Sequence, residues 1–222
     1  MLKKRAYLFL LLISSLAYSQ SEISEIEYSF FSPKDRYVTA NILAPVSPVL
    51  PRIRVGYMQH INEKLMFGIN TGFVINGMYK KHYDAYKLFE LRPELYYNWA
   101  IGKRVTHYLS FELFHVWHQE VMHNGTYLTD NGGEISYSKA DFQRLRYGYH
   151  FKYGMLLLLD TNFGINWYIG LGEALKITDY YNLEDAKLST AAGHGHFFRL
   201  GGIEGEYKEL SFAFGFRFFY KF

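Results

Sequence analysis

Residues 210–222 read Leu-Ser-Phe-Ala-Phe-Gly-Phe-Arg-Phe-Phe-Tyr-Lys-Phe. Leu210, Phe212, Phe214, Phe216, Phe218, Tyr220 and Phe222 fall at every second position. Ser211, Ala213, Gly215, Arg217, Phe219 and Lys221 fill the gaps. A period of two puts the two sets on opposite faces of a β-strand. One face is then almost wholly aromatic, and the other carries a guanidinium and an ammonium. Such a strand suits either the core of a soluble sandwich or a wall wetted by lipid, and the rest of the chain must choose between them.

The same alternation recurs upstream. Expected strands cover 37–46, 52–61, 65–76, 87–100, 104–122, 141–159 and 163–177, which with 210–222 makes eight. In the fourth, Phe89, Leu91, Pro93, Leu95, Tyr97 and Trp99 oppose Glu90, Arg92, Glu94 and Asn98. Pro93 lacks a ladder donor and is expected to mark a bulge. In the sixth, Leu145, Tyr147, Tyr149, Phe151, Tyr153, Met155 and Leu157 oppose Arg144, Arg146, Gly148, His150, Lys152 and Gly154. The connections at Asn62, Gly102 and Thr161 are tight. Those after Asn76, Met122 and Ile177 are long, and only the brief turn at Ser47 departs from the pattern. Short turns at one end and long loops at the other are the habit of membrane β-barrels. A sandwich has no reason to sort its loops this way.

Residues 1–19 read as a secretory signal. Lys3, Lys4 and Arg5 precede an apolar run, and Ala17-Tyr18-Ser19 supplies a small-x-small cleavage site. The run is too short for a membrane helix, and no later segment is apolar enough for one. Membrane insertion would therefore require a closed sheet. Residues 20–36 are polar and are expected to form a periplasmic arm ahead of a domain at 37–222. The 222 residues carry a formal net charge of +3, which points to no nucleic-acid partner. With no cysteine, disulfides and thiolate metal sites are excluded.

With its terminal Phe222, its export signal and its loop asymmetry, the chain resembles the small outer-membrane β-barrels of Gram-negative bacteria, of the OmpX and OmpA membrane-domain kind. The resemblance spans about 37–222. It implies an all-β, antiparallel, up-and-down transmembrane β-barrel of eight strands in the outer membrane. It also implies that Phe216, Phe218, Tyr220 and Phe222 form a closing strand read by the barrel-assembly machinery, with outer-membrane lipid around the wall. Ten strands is the alternative, if 196–204 forms a further strand. Function follows only weakly from such a fold.

An eight-stranded interior is about filled by side chains, and enclosed charges persist only when paired. The inward set at Glu90, Arg92, Glu94, Glu112, Arg144, Arg146, His150, Lys152 and Arg217 is therefore expected to form a charge network plugging the lumen. Counting back from Gly102 places Arg92 opposite Glu112, and counting from the outer loop places Glu112 near His150 or Lys152. Inward glycines such as Gly68, Gly154 and Gly215 are expected to relieve crowding beside bulky partners.

For chemistry, His107 and His115 face outward by parity and have no serine two residues away on that face. The activated serine of a lipid hydrolase is thus missing from the pattern. His194 and His196 could chelate a metal, but a third ligand is lacking. The expectation is a non-enzymatic protein with no cofactor and no metal. Its role would be structural or surface-directed, through loops at 123–140 and 178–208 that meet an extracellular ligand or protein. A narrow channel or small-ligand carrier is the alternative, and a lipid A-modifying enzyme the third.

Overall fold

Alternating faces become strands wherever large side chains can stand on one side and smaller or charged ones on the other. The computed structural model describes residues 35–41, 44, 51–74, 84–129, 131–188 and 203–222. Its strands are β1 (Arg36–Asn41), β2 (Ile53–His60), β3 (Leu65–Phe73), β4 (Asp84–Ile101), β5 (Val105–Leu128), β6 (Glu134–Leu158), β7 (Phe163–Glu184), β8 (Lys187–Leu188) and β9 (Gly205–Lys221). The expected signal at 1–19, the arm as far as residue 34, and His194 and His196 lie outside the described residues.

All the strands belong to one antiparallel sheet. Each long strand pairs with its neighbours in sequence, β7 pairs with β9, and β9 pairs with β1, so the sheet closes on itself as a ring of eight. The closing pair runs from Tyr37 opposite Lys221 to Asn41 opposite Arg217. The two-residue β8 pairs with the outer part of β6, outside the ring. With β9 seated directly between β7 and β1, the described ring has no place for the two additional strands of the ten-strand alternative. The described strands form one closed sheet with no second layer, which is not a sandwich.

Three tight turns gather at one end. Asn62 Oδ1 accepts hydrogen bonds from the amides of Lys64 and Leu65, each at 2.9 Å. Gly102 N–H donates to Val105 O at 2.8 Å, and Leu159 N–H donates to Phe163 O at 2.9 Å. At the other end the strands run on further than their polarity suggests. Residues 123–140, expected as a loop, instead continue β5 and β6 as a hairpin that turns only at 129–133. Residues 178–184, the start of the second expected loop, extend β7. Tyr127, Tyr137, Ala140, Phe142 and Tyr180 give this extension its own core. Tyr127 and Tyr180 stack with centroids 4.2 Å apart and planes within 8°. The outward side here is polar, so the alternation fades from the sequence although the strands persist.

Pro93 does not produce the expected bulge. Leu91 faces His115 and Glu94 faces Glu112, so the register with β5 is kept across the proline. The irregularities lie instead at Asp84–Lys87 and Asn98–Ala100.

The outer wall is apolar through the middle of every long strand. Phe212 is 75% exposed, Phe151 63% and Leu210 61%. Phe89, Leu95, Leu109, Leu113, Ile169 and Leu171 face the same way. Charge returns on the outward face at Lys87, Glu173 and Lys208. The inner face is the reverse. At the tight-turn end Tyr37, Met58, Met66, Tyr96, Tyr108, Leu156 and Phe219 pack into a floor. Inward glycines make that packing fit: a Cβ on Gly68 would lie 2.9 Å from the Tyr96 ring, and one on Gly154 or Gly215 would overlap Tyr108 or Tyr168.

Candidate functional site

Above the aromatic floor the ring encloses an ionic tier. It exists because inward positions of β2, β4, β5, β6 and β9 reach similar heights. Lys152 of β6 places Nζ 2.6 Å from Glu94 of β4 and 2.8 Å from Glu112 of β5. Arg217 of β9 reaches the same two carboxylates at 3.3 and 3.7 Å. Glu94 also accepts from Tyr96 and Ser110 hydroxyls, both at 2.7 Å. Tyr168 completes the tier: the Arg217 guanidinium lies 4.3 Å and the Lys152 ammonium 4.5 Å from its ring centre. These groups are almost wholly buried, so each charge keeps its partners without competition from water.

A second group surrounds Glu90. Arg52, Arg54 and Arg92 all pair with its carboxylate, Arg54 at 2.5 Å. Arg92 links the groups through Nη1, 2.8 Å from Glu112 Oε1. Glu94, not Arg92, stands directly opposite Glu112 in the ladder, and Arg92 reaches it diagonally. The expected opposition is displaced by the position of the hairpin centre. The hairpin is centred between Lys103 and Arg104, since Ile101 faces Thr106, and the irregularity at Asn98–Ala100 then recovers one residue.

Not all the expected network residues converge. Arg146 leaves the central tier to pair with Glu209 at 2.8 Å, and Lys176 joins them at 3.7 Å. Arg144 lies higher still, 4.6 Å over the Phe142 ring and within 3.4 Å of the Thr178 hydroxyl. Arg52, Arg54, Lys176 and Glu209 were absent from the expected network. Arg52, Arg54 and Lys176 share the inward parity of the expected strands 52–61 and 163–177, whereas Glu209 falls outside every expected strand.

His150 connects two hydrogen bonds that parity alone could not reveal. Its Nδ1 is 3.1 Å from Glu112 Oε1, and its Nε2 is 2.9 Å from Ser211 Oγ. A serine, an imidazole and a carboxylate thus form a chain like that of acyl-transfer enzymes. Ser211 lies on β9 and His150 on β6, with β7 between them. The arrangement differs from an efficient triad in its surroundings. Glu112 is already shared with Arg92, Lys152 and Arg217, and an imidazolium formed at His150 would face those cations. The outward histidines do not join it: His107 meets the Tyr153 hydroxyl at 2.8 Å, and His115 is exposed.

Beside Ser211 and His150 a cavity of about 440 Å³ opens, lined by Arg52, Arg54, Arg92 and Arg146 and bordered by Phe212 and Phe214. In the outer extension, His118 Nε2 and Glu120 Oε1 lie 3.4 Å apart. Burial pushes the Glu120 carboxyl up to about 7, against the pull of Arg144, and pushes the His118 imidazole down to about 3. The two are therefore neutral together between about pH 3 and 7 and are not an ion pair. Among the described residues no three metal-ligating side chains gather.

No protein-family model matches the chain, and neither a curated protein nor a solved structure is similar enough to count as a relative.

Proposed function

We propose that this chain is an outer-membrane β-barrel of a Gram-negative bacterium, with a lumen sealed by its ionic tier, acting as a rigid platform for the outer hairpins. The observation that carries this reading is the inversion of the ring, with large apolar side chains outside and buried charges inside. Soluble monomers rarely expose contiguous apolar patches beyond several hundred Å², and the wall of this ring is such a patch around its circumference. A tilted strand needs about 9–11 residues to cross the hydrocarbon. The outward apolar rows from Phe89 to Trp99 and from Phe212 to Phe222 have that length. Trp99, Tyr97 and Tyr220 near one rim and Tyr147 near the other suit the aromatic girdles of such barrels.

The sealed interior favours a structural or surface role over conduction, and the hairpin of β5 and β6 with the end of β7 would be the part offered to a partner. Reconstitution into a planar bilayer tests the closed lumen. The expected record is silent, and stable unitary currents would contradict it.

A second reading rests on the Ser211–His150–Glu112 chain: a serine-dependent acyl hydrolase. In it Ser211 Oγ attacks an ester carbonyl while His150 Nε2 takes the hydroxyl proton and returns it to the leaving alcohol. Water then releases the acyl group by the same relay. Mass spectrometry of lipid A and phospholipids from cells with the wild-type or Ser211→Ala protein decides between the readings. A changed acyl pattern that depends on Ser211 establishes the enzyme, and identical patterns remove it.

A further inference from the structure

Among the described residues, the ion pairs of the interior hold more cations than carboxylates. In the ion pairs that join its tiers, the cations Arg52, Arg54, Arg92, Arg146, Lys152, Lys176 and Arg217 share the carboxylates Glu90, Glu94, Glu112 and Glu209. Seven positive groups therefore meet four negative ones among the described residues of this network. Uncompensated charge inside a low-dielectric wall is costly, and the remedy is a counter-charge at hydrogen-bond distance.

The excess is directed at one place. The 440 Å³ cavity is lined by four guanidinium groups and His150, and no carboxylate is among its described lining residues. Arg54 is 7% exposed and Arg146 is partly buried, yet Nε of each is buried with no hydrogen-bond partner. Guanidinium forks arranged around a cavity match pairs of oxygens on phosphate and carboxylate groups. Ser211 Oγ adds a hydroxyl, and Phe212 and Phe214 offer apolar surface at the border.

We propose that this cavity binds a phosphate-type anion, held by Arg54, Arg146 and their neighbours and offsetting part of the positive excess of the interior. The shared chemistry is a phosphate group, which could arrive as free phosphate or as the headgroup of a lipid whose chains lie along Phe212 and Phe214. The lipid source rests on the membrane reading; the anion site itself does not.

The test uses the full chain folded in a neutral maltoside detergent, with folding verified independently by circular dichroism. Inorganic phosphate and short-chain phosphatidic acid are titrated separately by calorimetry, with the matching diacylglycerol as the phosphate-free control. Saturable binding of phosphate is expected. It should weaken about tenfold or more in Arg54→Gln and Arg146→Gln, the loss of one charge-assisted hydrogen bond. Phosphatidic acid binding far more tightly than phosphate, with Phe212→Ala and Phe214→Ala weakening only the lipid, assigns the lipid source. Equal affinities, insensitive to those two changes, assign free phosphate. Should an arginine variant fail to fold, Ala213→Met fills the cavity without removing a charge and should abolish binding. No saturable binding of either probe, or binding untouched by these cavity changes, overturns the site. Folding without detergent would overturn the membrane reading, and the phosphate titration would still decide the site in buffer.

Discussion

Lys152 and Glu94 meet 2.6 Å apart although β5 runs between their strands. The contact bridges the inside of the ring, and with Glu112 and Arg217 it ties β4, β5, β6 and β9 together at one level. The wall is thus held by its hydrogen-bonded ladder and also braced across its interior.

Replacing Lys152 with Met takes the nearest cation from Glu94, leaving it to Arg217, and leaves Glu112 to Arg92 and Arg217. Breaking one partner from a buried pair costs about 3–5 kcal/mol. Because Arg217 and Arg92 remain, denaturant unfolding in detergent should show Lys152→Met destabilised by less than that full cost, with Lys64→Met, at an exposed turn, near wild type.

Crowding inside the floor gives a second expectation. A side chain at Gly154 would overlap the Tyr108 ring. Gly154→Val should lower the melting temperature, and Tyr108→Ala in the same chain should recover part of the loss. A double-mutant cycle reads the coupling, which should be of order 1–3 kcal/mol. Additive effects would show that the two side chains do not compete for space.

The outer extension should respond to pH through Glu120. Its carboxyl is held at about 7 when folded, against an ordinary 4.5. The folded state therefore retains a proton that the unfolded chain gives up, and folding loses stability as pH rises from the lower value through the higher one. Near-ultraviolet circular dichroism of the extension's tyrosines should melt at lower temperature at pH 8 than at pH 5. Glu120→Gln should flatten that dependence. Equal pH dependence in both proteins would rule out Glu120 as its source.

The period of two carried much of this architecture into view, because lipid-length rows such as Leu145–Leu157 differ so sharply from their opposite faces. It also identified Arg217, Lys152, Glu94 and Glu112 as inward residues. Height was harder to read than facing. Counting from Gly102 puts Arg92 opposite Glu112, because the hairpin centre and the irregularity at Asn98–Ala100 are backbone features with no clear residue signature. The outer ends of β5, β6 and β7 stayed hidden because their outward residues are polar. The meeting of Ser211 with His150 spans three strands, and strand parity holds no information across that distance.

Substitutions on the outer wall should divide by height. Leu171→Arg, within the apolar band, should cost about 2–4 kcal/mol in lipid, and Lys208→Arg, above it, close to nothing. Equal costs for both in unfolding from lipid vesicles would mean that the band has no special surroundings.

The chain has no cysteine, so single cysteines at Phe151, Leu171 and Phe212 can carry nitroxide labels in lipid vesicles without interference. Collision rates with oxygen, which concentrates in hydrocarbon, and with a water-soluble nickel chelate then report what touches each position. A lipid-facing wall predicts high oxygen and negligible nickel accessibility at all three, with the reverse at Lys208. Strong nickel accessibility at Phe151, Leu171 and Phe212 would contradict it.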